Sequence, residues 1–105
     1  MQQDKVHAQF AADVPANNAQ LMASTQRPIT EATLKEASGE PAWKSTPSWF
    51  IYGGRDLNIP PAALSFLANR ADSKETVVVN GASHVVIISH PDAVVSVIEH
   101  AASTQ

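Results

Sequence analysis

Apolar residues along this chain fall into two regimes that meet at Pro47. Upstream, nothing has the composition of a buried strand. Downstream, Ser48-Trp49-Phe50-Ile51-Tyr52 and Thr76-Val77-Val78-Val79 are almost wholly apolar or β-branched. Neither run alternates with polar residues, a pattern that suits strands covered on both faces and placed at about 48–52 and 76–79. Gly53-Gly54 closes the first run and Asn80-Gly81 the second, each supplying turn chemistry at a strand's carboxyl end. Between them, Leu64, Leu67, Ala68 and Ala71 recur at the spacing of one buried helical face, predicting a helix at about 61–71 behind Ile59-Pro60-Pro61. The stretch from Gly54 to Glu75 is long enough for a crossover between parallel neighbours. A last helix, about 91–102, opens near Ser89 to Pro91 with Asp92 in its first turn, and its inner face reads Val94, Val97, Ile98 and Ala101.

The first 47 residues read as helices without a sheet. Asp13 and Pro15 mark the start of one at about 15–26, with Asp13 as its cap and Ala19, Met22, Ala23 and Gln26 on one face. Arg27-Pro28 stops it. Thr30 caps a second at about 30–37, and Gly39 follows its end. The order, helices and then β-α-β-α, is that of the back part of a doubly wound α/β fold. The chain divides accordingly into a helical segment, 1–47, and a β-α-β-α segment, 48–105.

Composition narrows the function classes. The 105 residues are 44% hydrophobic and 16% charged, which is globular and enough for one small domain. A net charge of −3 gives no attraction to nucleic acid or anionic membranes. The absence of cysteine removes disulfides, thiolate nucleophiles and Cys-based metal sites. No apolar run approaches the ~18 residues of a membrane span, and the first residues lack a signal-peptide core, so the reading is a cytoplasmic protein. No set of histidines and carboxylates has metal-ligand spacing, and neither a metal nor another cofactor is expected.

Two titratable residues follow the two strands. Asp56 lies just beyond Gly53-Gly54, and His84 just beyond Asn80-Gly81, at the strand ends where open α/β sheets place ligands and catalytic groups. A carboxylate that accepts the Nδ1 proton of a histidine fixes its tautomer and stabilises the imidazolium formed when the ring takes a proton. A plainer reading stays open: Asp56 closes its own turn and His84 is a satisfied loop histidine. Among the rest, His90 reads as a capping or surface residue, His7 and His100 as solvated, and Trp43 and Trp49 as packing anchors. Arg55 and Asn58 flank the acid and are placed to order its loop.

At this point the segments FAADVP, MASTQRPI, PAWKSTPSWFIYGGRDLNIPP, NRA and TVVVNGASHVVIISHPDAVVSVIEHAA come into view together. From about Phe10 to Ala102 they resemble the C-terminal part of an α/β-hydrolase of the esterase-like kind. Tyr52-Gly53-x-x-Asp56-x-x-Ile59-Pro60 resembles the acid loop of that family, and Gly81-x-Ser83-His84 its histidine loop. The resemblance implies a partial α/β-hydrolase fold, Asp56 as triad acid and His84 as general base. It also implies that residues 10–47 correspond to the end of a cap over the active site.

The same resemblance shows what is missing. In that fold the nucleophilic serine precedes the acid on a G-x-S-x-G elbow. The glycines are Gly39, Gly53, Gly54 and Gly81, and none stand four residues apart, so the elbow is absent. Ser83 is no substitute, being the immediate neighbour of His84; Ser48 opens a strand and Ser24 falls in a helix. The expectation is a truncated gene product or one half of a split enzyme, carrying the acid and histidine of a Ser-His-Asp ester-hydrolysing site and inactive alone. A small-molecule ester would be its substrate only once an N-terminal half completes it. The exposed edge of a two-stranded sheet predicts association with a second chain, of the same kind or another. Alternatives are a non-catalytic interaction module, a degenerate remnant or, among enzymes, a perhydrolase or haloperoxidase-like activity.

Overall fold

A computed structural model describes residues 1–104. Its centre is a two-stranded parallel sheet, β1 (Trp49–Gly53) and β2 (Glu75–Val79), in the register Trp49 opposite Glu75 through Gly53 opposite Val79. Ahead of the sheet come α1 (Ala16–Ser24) and α2 (Glu31–Lys35). The crossover carries α3 (Pro61–Arg70), and β2 leads to α4 (Val86–Ser89) and α5 (Pro91–Ser103). Helices α3 and α5 both pack against β1. The α/β class, the parallel pairing and the crossover helix are those expected from the apolar runs.

Local chemistry explains the boundaries. Pro61 and Pro91 occupy first-turn positions, where a missing N–H leaves no bond unmade. The Thr30 hydroxyl caps α2 by accepting the Thr33 N–H at 3.3 Å. Gly81 takes a positive φ of 75° in the turn that closes β2, where the Ala82 N–H donates to the Val79 carbonyl at 3.2 Å.

Several expectations change on contact with the structure. The strands are not covered on both faces: Thr76 and Val78 are exposed, Val78 by 51%, because a two-stranded sheet has no further layer on that face among the described residues. Ile98, expected inside, is exposed on α5, where Val97 is buried and Val94 and Ala101 are half-buried. On α3 the buried residue is Ala68, with Leu67 left exposed, and Ala71 is buried just beyond the helix end. Small residues therefore carry the contacts, and long ones point to solvent. The chain before α1 is also ordered, as a 3₁₀ turn at Gln3–Lys5 and a π-helical turn at Val6–Phe10 closed by the Ala11 N–H on the Val6 carbonyl at 2.9 Å. This segment supplies half of a buried cluster in which Ala11, Val14, Ala19 and Val85 meet, flanked by Phe10 and Met22.

Candidate active site

The two strands end side by side, so the loops that leave them start as neighbours. The Gly54 N–H donates to the Val79 carbonyl at 2.9 Å, which carries the parallel pairing one residue past β1. Next, the Arg55 N–H donates to the Ala82 carbonyl at 3.0 Å. Gly53 makes this approach possible: a Cβ there would fall onto the Ala82 and Ser83 carbonyl oxygens. Glycine is needed at this position because backbone has to pass where a side chain would stand.

The loop after β1 then curls around its own carboxylate. Asp56 is 4% exposed, and its Oδ1 accepts the Asn58 N–H at 2.8 Å and the Ile59 N–H at 2.9 Å. Its other oxygen, Oδ2, lies 2.7 Å from His84 Nδ1, across 28 residues of sequence. Burial by itself would raise the Asp56 carboxyl. The Ile59 N–H, the His84 ring and the Asn58 N–H outweigh it and hold the group below the usual carboxylate range. An ionised carboxylate only accepts hydrogen bonds, so the hydrogen between Asp56 and His84 belongs to Nδ1. In the neutral ring this leaves the lone pair on Nε2, which has no protein partner among the described residues. That is the tautomer a general base requires.

The histidine is held from its other side as well. The Phe10 ring stands 4.7 Å from the His84 ring, centroid to centroid, tilted by 38°. Asp13, expected to cap α1, does not: Pro15 occupies the N-cap position, which puts Asp13 two residues too early to reach the first turn. Its Oδ2 instead accepts the Ser83 N–H at 3.1 Å, across 70 residues, and lies 3.5 Å from His90 Nδ1. Burial would raise the Asp13 carboxyl, but the hydroxyl and N–H of Ser83 and the Ser89 hydroxyl hold it below its ordinary value. Between this segment and the two loops lies an open cleft of about 360 Å³, bounded by Ala12, Asp13, Arg55, Leu57, Gly81 and Ser83.

The remaining candidates fall elsewhere. His90 pairs with the Ser89 hydroxyl at 2.9 Å rather than capping α5 through its side chain. His7 meets the Val14 carbonyl at 3.0 Å, and His100 meets Glu75 at 2.6 Å, so neither is merely solvated. Trp43 and Trp49 are half-buried and line recesses shared with Pro47 and Lys74 at the opposite ends of the strands, with the Arg70 guanidinium 5.2 Å over the Trp43 ring. Arg55 and Asn58 order the acid loop through backbone N–H groups. Spacing gave no sign of Phe10 or Asp13 as neighbours of the histidine; the one signal was their place in the FAADVP segment of the resemblance. Among the described residues no group of three or more His, Asp or Glu side chains could hold a metal ion, and no helix is long and apolar enough to cross a membrane.

Comparison with known proteins adds three findings. A family model described as "Alpha/beta hydrolase family" matches residues 2–97. A pimeloyl-(acyl-carrier protein) methyl ester esterase from Aeromonas hydrophila subsp. hydrophila is 39% identical over 56 residues. That match covers 53% of this chain and 22% of the esterase, a small part of the relative's length. No solved structure matches the chain.

Proposed function

The chain belongs to the alpha/beta hydrolase family, and from that premise we propose that it carries the acid and the general base of a carboxylic-ester-hydrolysing site, Asp56 and His84. The observation that carries this reading is the 2.7 Å contact of His84 Nδ1 with the buried Asp56 carboxylate at neighbouring strand ends. In ester cleavage His84 Nε2 would take the proton of an attacking serine hydroxyl and later return it to the leaving alcohol. Asp56 would hold the ring and stabilise its charged form while the tetrahedral intermediate exists.

The serine is the missing member. These 105 residues contain no G-x-S-x-G elbow, and Ser83, though buried, presents its hydroxyl to the Val85 N–H at 3.4 Å rather than to the imidazole. The nucleophile and the oxyanion donors would come from polypeptide outside this sequence. The ester chemistry named for the Aeromonas relative supports an ester as substrate class.

The test is reconstitution. The chain alone should hydrolyse a nitrophenyl ester no faster than buffer, whereas adding a polypeptide that carries the elbow half of a related hydrolase should restore turnover. Activity in the pair that is indifferent to both Asp56→Asn and His84→Ala would refute the assignment.

A further inference from the structure

Three successive residues of the histidine loop are each gripped by the segment Phe10–Val14. The Ser83 N–H donates to Asp13 Oδ2 at 3.1 Å, the His84 ring faces the Phe10 ring, and Val85 is buried in the cluster with Ala11 and Val14. Of these contacts only the first is directional. Hydrophobic contact resists separation of the two segments but leaves the loop free to rotate about its own axis. A hydrogen bond to a backbone N–H does not.

We infer that Asp13 is a positioning residue for the acid–histidine pair: by holding the Ser83 N–H it sets the rotation of the loop that presents His84 Nδ1 to Asp56. The inference rests on the reading of Asp56 and His84 given above and adds a third side chain, a second carboxylate, to it. Ser83 is 2% exposed, so in the folded chain its N–H bonds Asp13 and not water. The carbonyl side of the same loop is already fixed against Gly53, through the close approach of Ala82 and Ser83. Held at the carbonyls alone, the loop could turn to find another acceptor for the Ser83 N–H, and the residue carried with it is His84. Asp13 also faces His90, 3.5 Å away, with the Ser89 hydroxyl beside that ring, so its role has to be separated from theirs.

The experiment follows the His84 Nδ1 proton by ¹⁵N–¹H NMR in the 105-residue chain, recording its exchange with water and the ring tautomer. In the unsubstituted chain the Nδ1–H resonance should be present and should vanish in Asp56→Asn. Its absence from the unsubstituted chain would sink the acid–histidine reading itself, whatever Asp13 does. Asp13→Ala should speed exchange at least about tenfold and admit a second tautomer, with the amide spectrum of β1 and β2 preserved. Asp13→Asn, whose side-chain carbonyl still accepts from Ser83, should bring exchange back to within about twofold of the original. His90→Gln should leave the resonance unchanged. Asp13→Glu, which keeps the charge and moves it by one methylene, should speed exchange by an intermediate factor and decides the matter if the alanine variant fails to fold. A folded Asp13→Ala with unaltered exchange, an unaltered Asp13→Glu, equal effects of Ala and Asn, or a His90→Gln that reproduces Asp13→Ala would each overturn the inference.

Discussion

The Arg55 N–H donates to the Ala82 carbonyl at 3.0 Å, and this single backbone bond ties the loop that carries the acid to the loop that carries the histidine. It continues the parallel pairing of β1 and β2 past the last residues of either strand. The side chains of Asp56 and His84 therefore meet as a consequence of strand register. Each lies a short, fixed distance beyond a shared edge.

Gly53 is the position most sensitive to change. Gly53→Ala would drive a methyl group into the Ala82 and Ser83 carbonyls, so one loop has to move. The expected loss of stability is about 2 kcal/mol or more, read as a lower urea midpoint. The same variant should lose the His84 Nδ1 proton signal, because the displaced carbonyl belongs to the residue before the histidine.

Stability should fall with acid in a defined direction. The Asp56 and Asp13 carboxyls both lie below the ordinary carboxylate range when folded. The unfolded chain then binds more protons than the native one as the pH drops through about 4, the ordinary value, and below. Each group adds stability that is fully present above its unfolded value and disappears as the pH falls through its folded one. Urea midpoints measured from pH 6 down to pH 2 should decline, and Asp56→Asn should flatten the decline. A midpoint independent of pH over that range would contradict both assignments.

Phe10 joins the N-terminal segment to the histidine ring. Phe10→Ala should destabilise the chain by about 2 kcal/mol, below the range for a fully buried phenylalanine because the ring is only half-buried. Phe10→Leu, which keeps most of the volume, should lose less than about 1.5 kcal/mol. Thermal melts followed by circular dichroism check both.

In an enzyme completed with a serine elbow, His84→Ala should lower kcat by about 10⁶-fold while leaving KM nearly unchanged, since the imidazole acts on the proton in flight and not on bound ester. A variant that changed KM alone would assign His84 to binding.

Most of the fold could be read from the chain because its signals are local. Two apolar runs ending in glycine gave the strands, Leu64 to Ala71 gave the crossover helix, and Asp56 and His84 were legible as the titratable groups just beyond the strand ends. The misreadings of burial have one physical source. Val78 and Ile98 look buried by composition, but burial depends on what covers a face, and the described residues do not cover theirs. Asp13 was misjudged for a different reason. A carboxylate before a proline and a helix looks like a cap, but its partner, Ser83, lies 70 residues away, beyond the reach of any periodicity.

The tautomer of His84 in Asp56→Asn is the most direct probe of the pair. The asparagine oxygen can still accept from the Asn58 and Ile59 N–H groups, which leaves its NH₂ facing the ring and able only to donate. Imidazole ¹⁵N shifts should therefore show hydrogen on Nδ1 in the unsubstituted chain and on Nε2 in the variant, the form that cannot act as a base through Nε2. An Nε2–H ring in both chains, or no change between them, would mean that Asp56 does not set the state of His84.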